Sequence, residues 1–170
     1  PFPDGNGRIG RIINVLYLVK EGLLDIPALY LSRHIVQTKL HYYRLLQAVR
    51  DNDDWEAWVL YMLQAVAATA AQTVATIQAI KTLLQQTKLR IRDNYRFYSQ
   101  DLINNLFNHP YTRVEFLQRE LGVSRLTATR YLDKLAADGV LRKMRVGRNN
   151  YYVNQPLFDL LARTDGADGR

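Results

Sequence analysis

Apolar residues recur with helical spacing along the first fifty positions. Ile9, Ile12, Ile13, Leu16 and Val19 share one face of a predicted helix over 8–21, and Gly22 supplies its stop. A second helix is expected from about Pro27 to Arg50, with Leu29, Leu31, Ile35, Leu40, Leu45 and Leu46 as its stripe. The polar run DNDD (51–54) then offers an N-cap. The stretch that follows, to Asn94, is alanine-rich and free of Gly and Pro. It is too long for one ordinary helix, so two long helices with a break near 68–73 are expected.

The pattern changes after residue 98. Residues 100–108 read as a short helix ended by His109-Pro110, RVEFLQRELG as another stopped by Gly122, and VSRLTATRYLDKLAADG as a third between a Ser124 N-cap and a Gly139 C-cap. VLRKMRVGRNNYYVN reads as two short strands about a Gly-Arg-Asn-Asn turn. Leu117, Leu121, Val123, Ala128, Leu132, Leu135, Val140 and Leu141 are the expected core. Three helices and a hairpin is the order of a winged helix-turn-helix. The expected fold class is mainly α, with 1–94 a helical domain and connector, 95–165 the winged helix, and 166–170 a flexible tail.

Composition changes this picture little. A chain of 170 residues with 48% hydrophobic and 23% charged residues suits one large or two small domains. The absence of cysteine excludes disulfides and thiolate metal sites. No continuous apolar run approaches the roughly 20 residues of a membrane span, so a cytoplasmic location is expected. The net charge of +7 is weak by itself, but no acidic residue lies between Asp138 and Asp159, where Arg142, Lys143, Arg145 and Arg148 are found.

The most specific chemistry lies at the start, in PFPDGNGRIGR. Gly5 and Gly7 allow a tight turn and close approach of backbone to a ligand. The turn leads into a helix whose first N–H groups are unpaired at the positive dipole end. Asp4 is a hard oxygen donor suited to Mg²⁺. Arg8 and Arg11, three apart, can reach one polyphosphate. With Asn6 at its fixed offset, the set describes a nucleotide–Mg²⁺ cradle; a glycine turn capping a basic helix is the plainer alternative.

The same stretch closely resembles the active-site motif of the Fic family, HPFxDGNGRxGR, at every position after the initial His: Pro1, Phe2, Asp4, Gly5, Asn6, Gly7, Arg8, Gly10 and Arg11. The resemblance implies a protein adenylyltransferase, which moves AMP from ATP to a hydroxyl of a target protein. It implies that Asp4 binds Mg²⁺, Gly5 to Gly7 form an anion hole, Arg8 and Arg11 hold the β- and γ-phosphates, and Phe2 anchors the loop. Tyr42-Tyr43 matches a pair that lines the adenine pocket, with Arg50 a further nucleotide-side residue. Adjacent helix positions point about 100° apart, so only one of the two tyrosines is expected to touch the base. Trp55 and Trp58 are assigned to packing.

The family's general base is the His before this proline, so no catalytic residue is expected within 1–170, and this chain alone is expected to be inactive in AMP transfer. His34 and His41 share a helix face, but no third ligand accompanies them. No inhibitory (S/T)xxxE(G/N) pattern occurs in these residues. In the second domain Arg125, Thr127, Thr129 and Arg130 on the third helix, and Arg142, Lys143, Arg145, Arg148, Asn149 and Asn150 on the wing, suit contact with DNA or with a protein partner. The rival expectation is a DNA-binding regulator that keeps the first domain as scaffold. Removal of AMP, transfer of another phosphate-containing group, and a homodimer stay open.

Overall fold

A computed structural model describes residues 5–165. The architecture is mainly α: among the described residues eight helices accompany one three-stranded sheet. The chain divides into two compact units, Pro1–Ala75 and Thr76–Arg170.

The first unit contains α1 (Asn6–Lys20), α2 (Leu31–Gln37), α3 (Lys39–Asn52) and the first half of α4 (Trp55–Asn94). The expected helix over Pro27–Arg50 is two helices, broken at Thr38. There the Thr38 hydroxyl donates to the His34 carbonyl oxygen at 2.7 Å and meets the Tyr61 hydroxyl at 2.7 Å. The break resets the helical phase. Leu29, Leu31, Ile35 and Leu45 are buried as expected, whereas Leu40 is 89% exposed and Leu46 faces solvent. In α1, likewise, Val15 and Leu18 meet the core, while the expected stripe residues Ile12, Ile13 and Leu16 are exposed.

The helix α4 corrects a second expectation. It runs without a break for 40 residues. Its first half, to Ala70, packs into the core of the first unit through Tyr61 and Ala65, and its last turns pack into the second through Leu84 and Ile91. Between them, alanine propensity and the absence of Gly and Pro leave nothing to stop it. By length and composition alone α4 is long and apolar enough to cross a membrane.

In the second unit α5 (Gln100–Asn108), α6 (Val114–Leu121) and α7 (Arg125–Ala137) begin and end close to their expected positions. Ser124 Oγ accepts from the Thr127 amide at 3.2 Å, and Gly122 sits at φ +64° where α6 stops. Leu117, Ala128, Leu132, Leu135 and Leu141 are buried, with Leu121, Val123 and Val140 packed against them. The strands β2 (Arg142–Val146) and β3 (Asn149–Val153) turn through Gly147-Arg148 alone, so Asn149 and Asn150 belong to β3 and not to the turn. Two elements were not expected. The two-residue strand β1 (Tyr111–Thr112) pairs with β3 and gives the sheet order β1-β3-β2. The helix α8 (Gln155–Asp165) is capped by Asn154, whose Oδ1 accepts from the Leu157 amide at 3.3 Å.

Candidate functional site

The glycine turn forms as its residues dictate. Gly5 holds φ +80°, a left-handed conformation costly for any side chain, and its carbonyl accepts from the amides of Arg8 at 2.9 Å and Ile9 at 3.0 Å. That opens α1 at Asn6. Both arginines fold back over the turn. Arg8 Nη2 lies 3.7 Å from where a Cβ on Gly5 would stand, and Arg11 Nη1 lies 3.5 Å from the same point on Gly7. The two bare glycine backbones are therefore roofed by two cations at a helix N-terminus, where unpaired N–H groups already favour an anion. Gly10 lies inside α1 with open space beside its Cα.

Arg8 and Arg11 also line one cavity of about 370 Å³. Its other walls are Ile12, Val15 and Leu16 of α1 and the segment that leads into α2, including Pro27, Leu29, Tyr30 and Ser32. Arg11 Nε is shut off from solvent and has no hydrogen-bond partner among the described residues. A buried guanidinium nitrogen with nothing to donate to is costly, and an anion in the cavity would satisfy it. The donor set thus fits a phosphate chain. Asp4, the carboxylate expected to carry Mg²⁺, lies outside the described residues. Among the described residues no cluster of three His, Asp or Glu side chains could hold a metal.

The Tyr42-Tyr43 pair divides as adjacent helix positions must. Tyr42 is buried, with its ring 5.1 Å from Trp58 and 6.2 Å from Tyr61. Tyr43 is 58% exposed. Arg50 is exposed seven residues further along α3, on the same face as Tyr43. The tyrosine found beside Arg8 and Arg11 in the cavity wall is Tyr30, which no motif in the sequence marks. Its signal was a lone exposed aromatic just ahead of a helix, and nothing in local pattern gives that a direction. His34 and His41 flank the Tyr61 ring at 5.7 and 5.4 Å, which makes them partners of an aromatic cluster. Trp58 belongs to the same cluster, whereas Trp55 is half exposed and donates to Asp53.

In the second unit most of the expected polar contacts are already engaged. Thr127 pairs with the Ser124 hydroxyl, and Thr129 donates to the Arg125 carbonyl. Arg125 lies 3.9 Å from Glu115, and the Arg130 guanidinium sits over the Tyr131 ring. Lys143 Nζ is 2.7 Å from Asp133, and this bond holds the lysine charged to higher pH than usual. Burial opposes ionisation of Asp133, but hydrogen bonds from Lys143 and Tyr152 outweigh it and hold the carboxyl below its ordinary range. Arg145 Nε donates to the Gly147 carbonyl. Arg142 and Arg148 are exposed.

Residues 83–157 match the family model described as the C-terminal domain of SoFic-like protein adenylyltransferases. The matched stretch starts within α4, ends in α8, and includes the whole sheet.

Proposed function

We propose that the chain is the C-terminal part of a Fic-type protein adenylyltransferase, and that the turn before α1 holds the phosphates of ATP. One observation carries the reading: the guanidinium groups of Arg8 and Arg11 lie over Gly5 and Gly7 respectively, and both residues line one cavity. The family match at residues 83–157 is independent support, because it does not touch the opening loop.

Transfer of AMP breaks the bond between the α-phosphorus and the bridging oxygen of the β-phosphate, and forms a bond from phosphorus to the acceptor oxygen. Negative charge grows on the departing pyrophosphate. Two cations and a helix N-terminus beside the phosphates would lower the barrier where that charge develops. Mg²⁺, held by Asp4 in this reading, would supply further neutralisation of the phosphates. The acceptor hydroxyl must also lose its proton. His34 and His41 are committed to the Tyr61 cluster, and His109 stacks on Tyr111, so this chain's residues bind and orient the nucleotide and leave proton removal unassigned.

Isothermal calorimetry with ATP and Mg²⁺ tests the reading. Residues 1–170 bind, and Arg8→Ala and Arg11→Ala each bind at least about tenfold more weakly, as the loss of one charge-assisted contact requires. Wild-type protein that takes up no ATP·Mg²⁺ ends the proposal. No AMP passes from labelled ATP to any protein with this chain alone.

The second unit is inferred to be a winged helix-turn-helix, on the order α5-α6-α7-β2-β3 with β1 closing the sheet. The rival reading, a DNA-binding regulator, has less behind it, since Arg125 and Lys143 each face a carboxylate. Retardation of duplex DNA that weakens steeply with salt would favour it.

A further inference from the structure

The sheet of the second unit has two unlike faces. On one, Tyr152 is fully buried, and Lys143 and Tyr152 both reach Asp133 of α7. The other face carries the alternate residues, in cross-strand rows Tyr111–Val153–Arg142 and Tyr151–Met144. With Phe158 of α8 they form a groove of about 620 Å³. A sheet with one covered face ordinarily turns polar residues outward. Here Tyr111 and Met144 are 41% exposed, Phe158 48% and Val146 58%. A contiguous open apolar face of this kind marks a binding surface.

We propose that this face binds an extended segment of a partner protein, added as a further strand along β2, with apolar side chains alternating with carboxylates. Three features select that occupant. First, β2 is the edge of the sheet and all five of its residues are exposed, so its outer N–H and C=O groups are free to pair with another strand. Second, β2 itself alternates: Arg142, Met144 and Val146 point to the groove, while Lys143, held by Asp133, and Arg145 point to the opposite face. A strand laid beside it meets Met144 and Val146 on one face and Arg145 on the other, with Arg142 at the end of the apolar row, which sets the partner's alternation.

Third, the charge is one-sided. Arg142 stands at one end of the groove, and Arg145 uses only its Nε in a bond to the Gly147 carbonyl. The acidic neighbour of Phe158, Asp159, is engaged by Gln155 at 2.8 Å.

The test is selection of random linear peptides displayed on phage against the full 170-residue chain, followed by anisotropy with the synthesised consensus. Peptides alternating Val, Ile or Phe with Asp or Glu are expected. Met144→Glu and Val146→Glu, both at exposed positions, should weaken the consensus at least about tenfold with circular dichroism unchanged. N-methylation of alternate residues facing β2 should abolish binding, because the added strand then lacks its donors. Enrichment of another pattern, no enrichment, or affinity that survives Met144→Glu overturns the proposal. So does displacement of the consensus by duplex DNA in a manner lost in Met144→Glu, which assigns the groove to nucleic acid. A dimer in sedimentation that Val146→Glu dissolves assigns it to a second copy and overturns it equally.

Discussion

The Tyr152 hydroxyl donates to Asp133 Oδ1 at 2.7 Å, and the same oxygen receives Lys143 Nζ at 2.7 Å. A residue of α7 thereby holds the middle strand and the edge strand of the sheet at once. Because the Tyr152 ring is fully buried, its hydroxyl has little access to water should Asp133 be lost.

Asp133→Ala is therefore expected to cost about 1–3 kcal/mol, the range for orphaning a buried donor. Asp133→Asn keeps an acceptor oxygen and should cost less than about 1 kcal/mol, since the lysine contact is largely solvent-exposed and screened. Urea unfolding at neutral pH separates the two. The folded carboxyl ionises more readily than the unfolded one, so its contribution is present above the ordinary carboxylate pKa and disappears as pH falls through the lower folded value. The deficit of Asp133→Ala should shrink over that acid range. Equal losses for both variants would show that Tyr152 does not depend on this oxygen.

A second contact has the opposite pH window. Tyr95 is buried and donates to Asp138 Oδ2 at 2.7 Å, and burial first and then that bond push its phenol up to about 12. The neutral phenol is the form that the fold favours. Its stabilisation is complete below pH 10 and is lost as pH rises from there through about 12. Tyr95→Phe should cost roughly 0.5–1.5 kcal/mol at pH 8, and the gap from wild type should close toward pH 12. A gap that stays constant to pH 12 would sink the assignment.

The glycines of the opening motif separate into different kinds. Gly5→Ala forces a side chain into φ +80° and should cost roughly 1–2 kcal/mol while weakening nucleotide binding. Gly10→Ala sits inside α1 with nothing within 4 Å. It should raise stability by up to about 1 kcal/mol and leave nucleotide affinity unchanged. Melting curves with and without ATP·Mg²⁺ read both effects. A loss of affinity in Gly10→Ala would mean that the ligand reaches further along α1 than the turn.

These contrasts trace what the residues disclosed in advance. The starts and stops of α5, α6 and α7 were legible because each has a local cause, such as Ser124 accepting an amide or Gly122 in the left-handed region. The break at Thr38 was not, because half of it is a hydroxyl contact with Tyr61, 23 residues away. The continuity of α4 is legible in its alanines, whereas the length that argues for a break is a statistical rule with no force where no residue breaks the helix. Strand β1 is two residues long and exists only because β3 lies beside it. At the candidate site, the loop and its two arginines followed from adjacent residues. Tyr30 did not, because its place in the cavity wall depends on how the segment before α2 returns toward α1.

Three tyrosines allow the base of the nucleotide to be located. Tyr42→Ala removes a buried ring from the cluster with Trp58 and Tyr61 and should destabilise the first unit by about 3–5 kcal/mol. Nucleotide affinity in that variant therefore reports folding and not contact. Tyr43 and Tyr30 are exposed at 58% and 65%, so alanine at either should leave stability within about 0.5 kcal/mol. A ring that stacks on adenine contributes roughly 1–3 kcal/mol, and its loss weakens ATP by fivefold or more while sparing inorganic triphosphate. Tyr30 shares a cavity with Arg8 and Arg11, whereas Tyr43 has the motif resemblance in its favour. Titrating ATP and triphosphate against Tyr30→Ala and Tyr43→Ala decides between them. If neither variant discriminates the two ligands, the base contacts neither ring, and the site recognises phosphate alone.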